Sequence, residues 1–426
     1  MALEYVFGMM KLVMLVSAVM LVCASGSASA DFPPVEKLPA VSDLPNPLTM
    51  LDGTPVTTKE QWFEKRRPEL KALFQHYIYG YMPPAPGITA RITKTDRNVF
   101  GGKATLREVE IRFKGLDNDA PTILLALFIP NHVKGRVPAF LMLNRCGNHT
   151  VADCPSLTID EGMWVPSNCK TGEEGRGSQA DFHCVEYIID RGYALATFNP
   201  GRFAADYKEF TGGIYGCYPD LDPKTRWGAI SAWAWGLHRA VDYLMTDVRI
   251  DRKRICVTGH SRRGKTALLA AALDERIALV VPHQSGTCGS AIGRDNDQET
   301  IGRIGTAFPH WFNKVFPEFA DREELMPVDQ HMLMALVAPR PLLDTSGKKD
   351  LWANPDNALR ALQAADRVYK FVGAEGIKGS GMLQDDDGIR SDNAGNLLQY
   401  RLDTVHTMNR DYWKIILDFA DLHLRK

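Results

Sequence analysis

Four absences narrow the possibilities. The 426 residues carry 50 Lys and Arg against 51 Asp and Glu, a formal net charge of -1. Neither sign dominates, so no field suited to nucleic acid is present. There is no C-x-x-C or H-E-x-x-H pattern, which removes the common short metal signatures, and no metal or cofactor is expected. No apolar run reaches the length of a bilayer span, and no internal repeat or low-complexity tract stands out. What remains has the hydrophobic content of an ordinary globular chain, at 45%.

The amino terminus reads as a targeting segment. Leu12 to Val22 is an apolar core of signal-peptide length with Lys11 before it, and Ala28-Ser29-Ala30 supplies a small-x-small cleavage site. Residues 1–30 are therefore expected to be a signal peptide, with Met9 or Met10 the better start, and 31–426 a single domain. Met20 and Val22 deny Cys23 a lipobox. The expected location is secreted or periplasmic, with no membrane attachment after cleavage. Seven cysteines remain beyond Ala30, and export permits disulfides. Cys146, Cys154, Cys169 and Cys184 cluster in a loop-rich region and are the candidates. An odd count leaves at least one free thiol, for which Cys256 in a buried strand is the choice.

Short apolar runs at Ala104–Phe113, Thr122–Ile129, Val137–Leu143, Tyr193–Phe198, Arg254–Thr258, Ala278–Pro282 and Pro341–Thr345 predict strands. Helical patterns fall at Trp62–Tyr77, Cys184–Arg191, Trp227–Met245, Thr266–Leu273 and Tyr412–Leu422. From Val137 onward strands alternate with helices, which predicts an α/β fold: a mostly parallel sheet flanked by helices in three layers. Ligands in such sheets bind beyond the carboxyl ends of the strands. Asn144–Thr150, Ser261, the Gln284 loop and Asp350 all follow predicted strands.

The chain is organised around Val257-Thr258-Gly259-His260-Ser261-Arg262-Arg263-Gly264-Lys265-Thr266. Gly259 to Thr266 satisfies the phosphate-loop pattern G-x-x-x-x-G-K-[ST]. Gly259-His260-Ser261 also begins a nucleophile elbow, G-x-S-x-G, although Arg263 stands where the second glycine belongs. Export favours the elbow, because nucleotide triphosphates are scarce outside the cytosol whereas a hydrolase needs only water. A serine nucleophile needs a base, and the base needs an orienting acid. On an α/β-hydrolase sheet these follow in the order serine, acid, histidine. Ser261, Asp350 and His406 meet that order. His260, His310 and His331 fit less well, the first for its direction and the others because they precede the acid. The N–H of Arg262, at a helix start, is an oxyanion donor, and its guanidinium adds positive charge there.

These residues resemble the glucuronoyl esterases, carbohydrate esterase family fifteen, of bacterial type. The likeness runs through the elbow, Asn144–Thr150, Trp227–Tyr243, Phe308-Pro309-His310-Trp311-Phe312, Asp329-Gln330-His331, Ala338-Pro339-Arg340-Pro341 and Asp350-Leu351-Trp352-Ala353. The resemblance implies an α/β-hydrolase acting on glucuronoxylan, where it cleaves esters between (4-O-methyl-)glucuronic acid and lignin alcohols; a monomer is expected. It implies Ser261 as nucleophile, His406 as base and Arg262 as oxyanion donor, with Lys265, Glu299 and Trp352 holding the sugar. In many members a glutamate follows the strand after the elbow, whereas here that place is Gln284. Asp350 matches the alternative position, after the next strand, and is assigned as the acid. Two other readings stay open: a carbohydrate-binding relative with impaired catalysis, and a nucleotide-binding protein with a true phosphate loop.

Overall fold

A computed structural model describes residues 32–425, and the signal-peptide reading lies outside them. The strands are β1 (Ile88–Val99), β2 (Ala104–Phe113), β3 (Ile123–Pro130), β4 (Val137–Leu143), β5 (Ala194–Phe198), β6 (Ile250–His260), β7 (Leu279–His283), β8 (Leu342–Gly347), β9 (Met382–Gln384) and β10 (Leu397–Leu402). They form one sheet in the order β1-β2-β3-β5-β4-β6-β7-β8-β10-β9. Pairing is antiparallel from β1 to β5 along that order and parallel from β5 to β9.

Strand periodicity divides the core into two layers. In β4, Val137, Ala139 and Leu141 face one cluster and Phe140 and Met142 the other. Four helices matter for the site: α1 (Ala229–Leu244), α2 (Arg262–Leu273), α3 (Pro355–Phe371) and α4 (Arg410–Leu424). The first three pack on one face of the sheet and α4 on the other. Every residue of α1 except Asp242 is buried, as an apolar helix requires. The buried residues of α3, among them Ala358, Ala361, Leu362 and Ala365, follow helical spacing.

The two glycines of the central motif are there for contact. A Cβ on Gly259 would lie 2.3 Å from the carbonyl oxygen of Arg263, and one on Gly264 would lie 2.8 Å from the Gly259 oxygen. Helix and strand backbones touch at both points, so the departure from the elbow spelling shifts the contact by one residue without removing it.

The seven predicted strands are present, with β6 starting earlier than expected. β1, β9 and β10 were not anticipated. The disulfide is Cys146–Cys169. Cys154 and Cys184, grouped with them in sequence, are free thiols, as are Cys217, Cys256 and Cys288. Sequence proximity put four cysteines in one region, but only Cys146 and Cys169 are brought together across the loop.

Candidate active site

Ser261 is the single residue between β6 and α2. Its backbone sits at φ 59 and ψ -130, a conformation rare for anything but glycine, at a cost of about 1–3 kcal/mol. Surrounding hydrogen bonds hold it there. Its N–H donates to the carbonyl of His283 at 2.9 Å, and its own carbonyl accepts from the N–H groups of Gly264 and Lys265 at 2.7 and 3.1 Å. The bend leaves the serine at the carboxyl end of a central parallel strand, directly before the positive end of α2.

His406 lies in the loop between β10 and α4. Its Nδ1 donates to Oδ2 of Asp350 at 2.6 Å. Asp350 follows β8, and its side chain is 4% exposed against 40% for the imidazole. A carboxylate only accepts, so the proton lies on Nδ1 and leaves the Nε2 lone pair free. The His406 ring rests on the ring of His260, centroid to centroid 4.2 Å. Because His260 immediately precedes Ser261, this contact brings the imidazole to the elbow. His260 thus forms a floor under His406. Burial, then the neighbouring histidines, push it well below the usual histidine range, so it is neutral.

Gln284 does not stand in for an acid on the imidazole. Its Oε1 accepts from the N–H of Thr407 at 2.8 Å. Its Nε2 donates to the Val405 carbonyl at 3.1 Å and to the Tyr412 hydroxyl at 3.2 Å. One amide therefore grips the backbone on both sides of His406. His283 adds a second hold, its Nε2 donating to the Thr407 carbonyl at 2.8 Å. Burial first holds His283 at about 4, so it is neutral, and its Nδ1 accepts from the Thr345 hydroxyl. Sequence reasoning missed His283, which sits one residue before the expected acid position.

The guanidinium of Arg262 is anchored by Oδ2 of Asp206 at 2.8 Å. The other carboxylate oxygen accepts from His310 Nε2 at 3.0 Å and Trp311 Nε1 at 2.8 Å. Burial would raise the Asp206 pKa, but His310, Arg262, Arg263 and Trp311 outweigh it, and the carboxyl stays well below its ordinary range. The guanidinium lies over the rings of Trp311 and Phe308 at 4.5 and 5.0 Å, and these two rings stack at 3.9 Å. Asp206 was not found from sequence. It lies in a long loop with no local pattern, and its partners are about 60 and 100 residues away. His331 is structural: its Nε2 donates to the Pro45 carbonyl at 2.8 Å.

Lys265 and Glu299 are both buried and bonded to each other at 2.9 Å. The ammonium also donates to the carbonyls of Ser285 and Thr287 at 2.6 and 2.5 Å, which engages its three protons. The same Glu299 oxygen accepts from the Thr287 N–H at 2.8 Å. Trp352 is 47% exposed, two residues beyond Asp350. Among the described residues no cluster of three or more His, Cys, Asp or Glu is arranged to hold a metal.

A serine at a strained strand-to-helix bend, on a mostly parallel sheet sandwiched by helices, defines an α/β-hydrolase. Comparison with known proteins narrows the class. Residues 172–373 match the family described as glucuronyl esterase, fungi. The carbohydrate esterase MZ0003, from an unknown prokaryotic organism, is 39% identical over 392 residues, 89% of each chain. A promiscuous CE15 esterase from a marine bacterial metagenome superposes with TM-score 0.81 at 38% identity, covering 92% of this chain and 99% of that one. The glucuronoyl esterase of Solibacter usitatus gives TM-score 0.82 at 34% identity over 91% and 100%. The chain belongs to carbohydrate esterase family 15, the glucuronoyl esterases.

Proposed function

We propose that this chain cleaves the carboxylic ester of glucuronic acid, free or 4-O-methylated, where xylan side groups are joined to lignin alcohols. Ser261 Oγ attacks the ester carbonyl while His406 Nε2 takes its proton. Asp350 keeps the imidazole in the right tautomer and offsets its charge once protonated. The oxyanion of the tetrahedral intermediate is met by the Arg262 N–H, the end of α2 and the Arg262 guanidinium, held in place by Asp206. Collapse breaks the ester C–O bond, and His406 gives its proton to the departing alcohol. Water, deprotonated by the same imidazole, then attacks the glucuronoyl–serine ester. Uronate leaves and Ser261 regains its proton. Lys265 fixes Glu299 as an acceptor for ring hydroxyls, and the open indole of Trp352 is a wall for one sugar face.

One observation carries this reading: a carboxylate-oriented imidazole seated on the residue next to the elbow serine. Gln284 motivated the reading of an impaired relative. Its grip on Val405 and Thr407 speaks for a built catalytic loop. The test is hydrolysis of benzyl glucuronate. Wild type should turn the ester over, and a Ser261→Ala variant with an unchanged melting curve should be inactive. Wild-type turnover in that variant would refute the mechanism. We also place the mature protein outside the cytosol as a monomer, which N-terminal sequencing and light scattering of the exported protein would check.

A further inference from the structure

Beside the Asp206 network that anchors Arg262 lies a concavity of about 460 Å³, within the range of about 300–1,000 Å³ that small-molecule sites occupy. Its walls come from the loop that carries Asp206 and from the segment that carries His310 and Trp311. Tyr207 and Phe210 offer aromatic surface, their rings set edge to face 5.4 Å apart. Lys208, Arg226 and Lys314 supply three positive charges, and no Asp or Glu lines the space.

The cations are uncompensated. Among the described residues, neither lysine ammonium has a hydrogen-bond or ion-pair partner. Arg226 donates to the Tyr215 carbonyl at 2.7 Å and lies over the Tyr215 ring, with no carboxylate partner. Three like charges around an aromatic cup repel one another, so an anion placed among them is favoured. His310 joins this cup to the chemistry: it lines the cavity and donates to Asp206, which holds Arg262.

We propose that this cavity is a second carbohydrate subsite that takes a pyranose bearing a free carboxylate. The sugar packs against the aromatic surface of the Tyr207–Phe210 pair, and its carboxylate lies among Lys208, Arg226 and Lys314. The proposal rests on the reading of the chain as an esterase of uronic-acid polymers. Such a polymer carries unesterified uronates near the esterified one. The subsite selects chains with a free acid group beside the scissile ester.

The test uses the whole protein and two synthetic xylo-oligosaccharides. Each carries one benzyl glucuronate ester, and one of them also carries a free glucuronate. Wild type should show kcat/KM about tenfold higher on the doubly substituted chain, the value of one charge-assisted contact, with the advantage fading as salt is raised. Both lysines are exposed, so a Lys208→Ala/Lys314→Ala double variant should fold normally. It should treat the two substrates alike while hydrolysing benzyl glucuronate as wild type does. Equal rates on both substrates in wild type, or an advantage that survives in the variant, would overturn the subsite. So would stronger competition by ferulate than by glucuronate. If wild type fails on benzyl glucuronate itself, the esterase reading falls first. Calorimetric titration of the free-acid oligosaccharide then judges the cavity alone: binding lost in the variant supports it, and unchanged or absent binding overturns it.

Discussion

Restoring a glutamate at position 284 should harm this protein, although resemblance to relatives suggests the opposite. Gln284 donates to the Val405 carbonyl at 3.1 Å and accepts from the Thr407 N–H at 2.8 Å. A carboxylate keeps the second bond and loses the first, and it then faces the Val405 carbonyl with another acceptor. Val405 is exposed and can turn to water, but Tyr412 can offer its hydroxyl to the new oxygen only by releasing the Ser346 carbonyl, to which it donates at 3.0 Å. Loss of that buried donor, or a buried carboxylate oxygen left without one, costs about 1–3 kcal/mol, a drop of a few degrees in Tm for a chain of this size. The loop that loosens carries His406, so kcat/KM on benzyl glucuronate should fall about tenfold as the base loses its aim. A protonated glutamate can donate to Val405, and burial favours that form, so its folded pKa is raised. Its stabilising contribution is therefore full below the unfolded value of about 4.3 and is lost as pH rises through the folded pKa. The Tm gap between Gln284→Glu and wild type should widen from acid toward neutral pH. A variant with wild-type Tm at neutral pH, or with improved kcat/KM, would refute the claim that the amide serves the loop.

Asp206→Ala should lower kcat at least tenfold with KM within about threefold, because it frees the Arg262 guanidinium without touching the serine; an unchanged kcat would remove Arg262 from the oxyanion site. The Asp206 carboxyl is held below its ordinary range, so it stabilises the fold above the unfolded value of about 3.9 and loses this as pH falls through its folded pKa. Urea unfolding of Asp206→Asn should converge on wild type in that acid window. Ser261→Gly should be inactive yet more stable by about 1 kcal/mol, since glycine adopts the positive φ without strain; lower stability in chemical denaturation would mean that the bend is unstrained. Lys265→Met should destabilise by roughly 3–5 kcal/mol by leaving the Glu299 carboxylate buried without its cation, and a loss under about 1 kcal/mol would show that water reaches the pair.

The parts of the fold legible in the sequence are those where local pattern and tertiary environment agree. β4, all seven residues of which are buried, appears as an apolar run, and α1 as an apolar helix. β1 was invisible because it is an edge strand with most residues exposed, and Arg, Lys and Thr there carry no alternation to read. β10 was hidden by the Gly- and Asp-rich stretch before it, and α3 by its even mix of small and charged residues. The same divide runs through the site. Ser261, Asp350 and His406 follow strands in a fixed order, and that order is a property of the chain. Asp206, His283 and the grip of Gln284 are properties of how loops meet, and no spacing rule reports them. His260 shows the gap most sharply: the alternation that turns it from the serine's direction is what lets it support the imidazole arriving from the last loop.

The phosphate-loop spelling shows why letters alone cannot choose between the two motifs. Both need a glycine where a helix returns against the strand that precedes it, and both put a polar residue at the helix start. They differ in where the helix begins. A phosphate loop keeps the residues between its glycines in open backbone, so that several N–H groups converge on an anion. Here Arg262 and Arg263 already belong to α2, and Ser261 alone makes the turn. The lysine of the pattern has its three protons on Ser285, Thr287 and Glu299, with none for a β-phosphate. The hydroxyl of Thr266, which would face magnesium, donates to the Arg262 carbonyl one turn back at 3.0 Å. Each part a nucleotide would need is engaged inside the fold, and the one side chain left at the bend is a serine. A one-residue turn has room for an attacking oxygen and none for a phosphate chain.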